Sequence, residues 1–499
     1  MFNGHHDVNL NNTGSPFTPD YRHLDDFLIG IENMTDNDKQ DMLRNISLEE
    51  IDDVLKRCPN HKSPGLDGIP YEFYKAVWPI MNKDFMQILQ VQLDSEKIIQ
   101  SNKIGATRLI PKVKGVPTVE ELRPITLLNT DYKILSKILV KRIRPVLPDI
   151  IKSGQLCSVG DKNILFGVNN ILSSILYINS KKRKACLLSL DFFKAYDRVF
   201  LEYLIKVMNK MNFSPRFCQW ILMLHEGAGT KFILEVLSRP IQVEFSIRQG
   251  DPLSMILYII YIEPLLLYLE RTLKGIKVAE ISQTIEAYCD DVNVMTEHIE
   301  DLPRVDNAVQ KFEAFSGAIL SRGKKCKIMG FGSWKEKRNW PLDYLKVEKE
   351  IKVFGIIMVN SYRSIISKNW EYRFKNFQSS ILSWGSRSLP SIYAKVEVLK
   401  MFAMTRIFYV ASILPMTKTR IKQFEILIGK FVWDRSGWIL RVSLNEIKNS
   451  LARGGLNLLC LKTMCDSLLL SQFLRLLKSS DIKSVSHVVF WIGEGVHAD

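Results

Sequence analysis

An α+β fold is predicted for this chain of 499 residues. Between residues 184 and 295, apolar strand patterns alternate with helical spacing: strand, helix, strand pair, helix, hairpin. From about residue 363 the period is helical almost throughout, with Arg and Lys returning on the polar faces. Two of the strand patterns end on aspartates, which puts carboxylates at one edge of a sheet.

Residues 1–45 read as an acidic tail, disordered over the Asn-, Gly-, Ser- and Pro-rich stretch 1–20. Ser47-Leu48-Glu49-Glu50 is a capping box that opens a short helix to about Arg57. Ser63-Pro64-Gly65-Leu66-Asp67-Gly68-Ile69-Pro70 is too rich in Pro and Gly for a regular element. Helical spacing resumes over 71–93, and 104–130 reads as short strands and turns. An amphipathic basic helix follows over 131–147. The most apolar stretch, Pro252 to Leu269, is interrupted by Glu263 and Pro264, so it predicts a buried core helix rather than a membrane span. Unit boundaries are expected near residues 45, 183 and 358.

The net charge is +15 and unevenly placed: residues 1–60 carry 12 acids against 5 Lys/Arg, leaving +22 over residues 61–499. A basic body of that size points to a polyanionic partner, nucleic acid ahead of an anionic membrane, with a solvated surface as the plain alternative. The eight cysteines form no Cys-x-x-Cys pair, so neither a zinc knuckle nor a disulfide framework is indicated. Free thiols in a reducing, intracellular compartment are expected, nuclear or cytoplasmic. Met1-Phe2-Asn3-Gly4-His5-His6-Asp7 contains no signal-peptide core.

The chemistry is carried by three phrases. Ala287-Tyr288-Cys289-Asp290-Asp291 lies between Ile285 and Val292, and reads as a hairpin with Asp290 and Asp291 at its tip. Upstream, Leu187-Leu188-Ser189-Leu190-Asp191 is apolar until its last residues, and Phe192 to Tyr196 follow where strand gives way to helix. Three converging carboxylates repel one another unless divalent cations neutralise them, an arrangement suited to two-metal phosphoryl transfer. The third phrase, Arg248-Gln249-Gly250-Asp251-Pro252, combines a glycine for close backbone approach with a proline to begin a helix. Each phrase alone has a bland reading as well. The aspartate pair suits a solvent turn, Tyr196 a core ring beside a helix cap at Asp197, and Gln249-Gly250 a simple loop.

In their order and spacing these phrases resemble the reverse transcriptases of non-LTR (LINE-type) retrotransposons, from about residue 45 to 478. The Ser63–Pro70 loop, Ile110-Pro111-Lys112 and Arg123-Pro124-Ile125-Thr126-Leu127-Leu128 are similar to the family's finger elements. The resemblance implies a right-hand polymerase: N-terminal extension and fingers over 46–183, an antiparallel-sheet palm over 184–358, a helical thumb and C-terminal region over 359–499. It implies Asp191, Asp290 and Asp291 as catalytic metal ligands, with the Phe192 carbonyl as an extra ligand. Two Mg²⁺ ions are expected, Mn²⁺ being a possible substitute. Lys112 and Arg123 would grip the triphosphate, Tyr196 would exclude a 2′-hydroxyl, and Gln249-Gly250 would bind substrate. Lys324 stands in Ser316–Lys324, which looks like the next palm motif, and Phe354-Gly355 at the primer-grip hairpin. The implied partners are an RNA template, a DNA primer and deoxynucleoside triphosphates.

Some residues depart from the family's pattern: Ser321 where Asn is usual, Lys325 where Ser or Thr is usual, Lys162 for Arg and Phe354 for Leu. None removes a carboxylate. Full-length elements also carry an endonuclease and often a Cys/His knuckle, so the chain is expected to be the polymerase region of an element. Two other readings stay open, a non-catalytic nucleic-acid-binding relic and a group II intron-type maturase. Gly454-Gly455-Leu456-Asn457-Leu458 favours the LINE-type reading over the maturase.

Overall fold

A computed structural model describes residues 17–112, 115–243, 246–278, 281–387, 389–433 and 443–493. Sheets and helices are mixed up to residue 358, and helices dominate from Tyr362 onward. The early strands are β1 (Ile104–Pro111), β2 (Leu122–Leu127), β3 (Ala185–Asp191), β4 (Gly229–Phe232) and β5 (Ile241–Gln242). Next come β6 (Ile276–Val278), β7 (Ile281–Gln283), β8 (Ile285–Tyr288) and β9 (Asp291–Thr296). The last are β10 (Lys327–Phe331), β11 (Lys346–Val347), β12 (Ile351–Val353) and β13 (Ile356–Met358).

Two sheets dominate. One has the order β2-β1-β4-β5, and the other β11-β10-β3-β9-β8 with β3 at its centre. The second is antiparallel except where β10 meets β11. Its central strand explains its own sequence. Cys186, Leu188 and Leu190 point into a core shared with helices Ser254–Thr272 and Asp301–Ser316. Ala185 and Leu187 point the other way, into a core with helix Ile164–Ser180 and the C-terminal helices. A strand covered on both faces needs apolar residues at every position until its last turn reaches water.

Several local expectations hold. Ser47 caps helix Leu48–Arg57 by accepting from Glu50 N at 3.2 Å. The basic helix spans Thr130–Ile143, and its cations have internal partners: Lys133 and Lys137 lie over the Tyr71 ring, and Arg142 pairs with Glu50 at 2.8 Å. The apolar helix is buried over most of its length, and no helix among the described residues is long and apolar enough to cross a membrane.

Two expectations are corrected. Residues 1–16 lie outside the described residues, but 17–45 are packed rather than forming a tail. Phe27 stacks on Tyr268 at 4.0 Å, and the Arg271 guanidinium reaches the Asp26 and Ile29 carbonyls. Five apolar side chains from Leu24 to Met42 bury in the main hydrophobic core, which offsets the repulsion of that acidic stretch. The strand pair β4–β5 belongs to the first sheet, where β4 runs parallel to β1. Finally, Pro252 precedes the helix instead of beginning it, because Asp251 caps the turn by accepting from Leu253 N at 3.0 Å.

Candidate active site

β8 and β9 form a hairpin whose two-residue turn is Cys289-Asp290. Tyr288 pairs with Asp291, so Asp291 is not at the tip as expected but is the first residue of β9. There it stands directly opposite Asp191, the last residue of β3. Both side chains of such a pair project to one face of a sheet, and Asp290 adjoins them in the turn. Cys289 takes φ +54°, and Gln155 holds it from behind: its Oε1 accepts from Cys289 N at 3.0 Å. Further back, Lys483 of the last described helix braces the hairpin, pairing with Glu286 at 3.1 Å and donating to the Ile285 carbonyl at 2.9 Å.

The three acids feel one another. Burial raises the Asp290 pKa, and the Asp191 charge adds to the rise while Arg123 and Lys325 oppose it. Asp291 is pushed up to about 6, first by burial and then by Asp290 and Asp191, against hydrogen bonds from Asn293 and the Phe354 backbone. Lys112 is lowered, by burial first and then by Lys325 and Arg123, with Asp191 and Asp197 opposing. Thus Lys112, at the end of β1, and Arg123, in β2, face the carboxylates of the other sheet.

The carboxylates are neighbours, yet they do not converge as an ion-holding cluster; among the described residues no three His, Cys, Asp or Glu side chains do. Asp191 Oδ2 accepts from Ser321 Oγ at 2.7 Å and pairs with Lys325 Nζ at 3.3 Å. Asp291 Oδ1 accepts from Asn293 at 2.9 Å. The donor set nevertheless fits a hard divalent cation: it is all oxygen, and its acids burden one another when no cation is present. The lysine paired with Asp191 is Lys325, the residue after Lys324, at the end of the turn 322–325.

Tyr196 is half-buried beside the turn, stacked on Tyr258 at 5.0 Å, and its hydroxyl meets Cys289. The Phe192 ring is buried, with its centroid 6.5 Å from that of Phe312. Gln249 O accepts from Thr126 N at 2.8 Å, so the Gln249-Gly250 turn is clamped to β2. The Phe354-Gly355 phrase is the turn of the β12–β13 hairpin, and Tyr409 donates to the Phe354 carbonyl.

Arg248, which precedes Gln249, does not reach the surface. It is buried, lies 4.6 Å over the Tyr132 ring, and donates to the carbonyls of Asn102 and Leu224. Asp251 completes this buried knot by accepting from Tyr132 at 2.7 Å and from Ser136. Sequence reading quoted Asp251 and Lys325 without their partners and missed the role of Gln155, since a single polar side chain has no periodic signature. Trp370, in the first of the C-terminal helices, is core and donates to the Pro415 carbonyl at 2.8 Å.

His225 belongs to the same knot, 3.7 Å from Asp251, fully buried and with neither ring nitrogen hydrogen-bonded. Burial lowers its pKa to about 4, Arg248 assists and Asp251 opposes. A depressed value means that folding is undisturbed above the usual 6.5 and loses stability as pH falls toward about 4. His225→Phe is expected to shrink the stability lost between pH 7 and pH 5 by about 2 kcal/mol. Urea unfolding at the two pH values measures this, and an unchanged difference would mean that the ring titrates normally.

Comparison with known proteins gives this arrangement a family. Residues 110–358 match the family described as reverse transcriptase (RNA-dependent DNA polymerase). The chain is 27% identical over 470 residues to the transposon TX1 uncharacterized 149 kDa protein of Xenopus laevis, covering 93% of this chain and 35% of that protein. It is 24% identical over 295 residues to the retrovirus-related Pol polyprotein from type-2 retrotransposable element R2DM of Drosophila melanogaster, covering 58% and 27%. A probable RNA-directed DNA polymerase from transposon BS, also of Drosophila melanogaster, is 24% identical over 227 residues, covering 44% and 24%. The chain therefore spans only about a quarter to a third of these relatives' lengths. With its family domain at residues 110–358, the chain belongs to the reverse transcriptases, and its relatives are proteins of non-LTR retrotransposons.

Proposed function

We propose that this chain is an RNA-directed DNA polymerase, extending a DNA primer on an RNA template with deoxynucleoside triphosphates. The observation that carries the reading is the register of Asp191 on Asp291, with Asp290 in the adjoining turn. Lys112 and Arg123 supply the opposing positive charge. In this reading residues 46–183 include the fingers, 184–358 the palm and 359–499 the thumb.

Asp191, Asp290, Asp291 and the Phe192 carbonyl would hold Mg²⁺, as two ions, with Mn²⁺ able to replace it. Bound there, the metal supplies positive charge for activating the primer 3′-hydroxyl and for stabilising the departing pyrophosphate. Lys112 and Arg123 hold the triphosphate through charge-assisted hydrogen bonds, the guanidinium being suited to two phosphate oxygens at once. Gln249-Gly250, clamped to β2, supports the substrate, and Lys324, on the turn 322–325, is assigned to substrate binding by the family resemblance alone. Tyr196 closes the sugar side: its ring is fixed by Tyr258 and Cys289 and cannot yield to a 2′-hydroxyl.

Purified protein, Mg²⁺, deoxynucleotides and a primed RNA template provide the direct test. Primer extension is expected, and its absence with intact protein would remove the reading in favour of a non-catalytic binding protein. Tyr196→Val is expected to admit ribonucleotides, raising their incorporation relative to deoxynucleotides by on the order of tenfold or more. Unchanged sugar selection in competition assays would take Tyr196 out of the gate role.

A further inference from the structure

Lys325 stands where an external cation would otherwise be needed. Its Nζ lies 3.3 Å from Asp191 Oδ2, the oxygen that also accepts from Ser321 Oγ at 2.7 Å. Backbone geometry delivers it there. Ser321 N donates to the Asp191 carbonyl at 2.8 Å, and Lys325 N donates to the Ser321 carbonyl at 3.3 Å, so the turn carrying the lysine is stitched to the end of β3. The same charge reaches beyond Asp191, opposing protonation of Asp290 and repelling Lys112.

An ammonium group satisfies one carboxylate oxygen with a single charge, whereas a divalent ion needs several oxygens together. While Lys325 and Ser321 hold Asp191, that carboxylate is turned to them, in keeping with the lack of a metal-ready cluster among the described residues. We propose that Lys325 is a tethered counter-cation that occupies Asp191 in the metal-free protein and must release it when Mg²⁺ binds, thereby setting the metal concentration the site requires. This inference rests on the carboxylates being the metal site of the proposed polymerase. The lysine side chain is 59% exposed, so the ion pair is a modest competitor rather than a barrier.

The test is Mn²⁺ binding to the full chain without nucleotide or nucleic acid, followed by the electron paramagnetic resonance of the free ion. Lys325→Ser and Lys325→Met are expected to tighten binding by roughly two- to fivefold, the range that a weak exposed ion pair provides. In an Asp191→Asn background the same lysine substitutions should change nothing. Unchanged or weaker Mn²⁺ affinity in both single variants would overturn the proposal, as would equal tightening without Asp191. Extension assays on the same samples separate the two claims. A wild-type chain that extends primers while Lys325→Ser leaves metal affinity unaltered refutes only the role of Lys325. Tightened binding in a chain that never extends primers upholds the lysine's role and refutes the polymerase.

Discussion

Asp290→Asn is expected to lower primer extension by on the order of 10³-fold or more while leaving the fold in place. Asparagine matches aspartate in shape, so the Cys289-Asp290 turn and the β8–β9 pairing need not move. What disappears is one negative charge at the point where Asp191 and Asp291 already repel it. Relieving that repulsion leaves thermal stability equal to the wild type or slightly higher. Loss of extension with an undiminished melting temperature is the signature of a group kept for chemistry and not for packing. Extension at the wild-type rate by Asp290→Asn would refute the carboxylate assignment.

Gly250→Ala is the second large effect, and it acts through backbone. Gly250 has φ +122°, and a Cβ added there would lie 2.2 Å from the Thr126 carbonyl oxygen. The hydrogen bond from Thr126 N to the Gln249 carbonyl, 2.8 Å, prevents the turn from stepping back without losing its hold on β2. The clash and the strained φ together are expected to cost about 2–4 kcal/mol of stability. Displacing Gln249 should lower extension by roughly 10²-fold. Gly30→Ala is the comparison. Its φ is +81°, but nothing lies within 4 Å of the added carbon, so only conformational strain of about 1 kcal/mol is expected. Denaturant unfolding of both variants decides the matter. If Gly250→Ala is no worse than Gly30→Ala, the clamp between this turn and β2 is not rigid.

The carboxylate hairpin was legible because β8 and β9 follow one another, and alternation over a few residues fixes which side chains share a face. Its tip was misread by one residue, placing Asp291 in the turn. Nothing in the string Tyr288-Cys289-Asp290-Asp291 says which two residues turn, whereas pairing to β3 does. The capped helix at Leu48–Arg57 and the buried helix at Ser254–Thr272 were legible for the same local reason. Arg248 illustrates the opposite case. A guanidinium in a short polar phrase carries no sign of burial, yet Tyr132, Asn102 and Leu224, all remote in sequence, enclose it.

By itself the sequence determined the mixture of strands and helices, the order of the acidic, basic and glycine phrases, and the chemistry that such residues can support. Those properties follow from backbone preferences and from burial periodicity within a dozen residues. Only the tertiary structure decided that Asp191 opposes Asp291, that β4 joins β1, and that Lys325 closes on Asp191. Each of these contacts joins segments about a hundred or more residues apart in the chain. Such contacts are selected by the joint packing of two whole sheets, a balance to which no short stretch of sequence gives access.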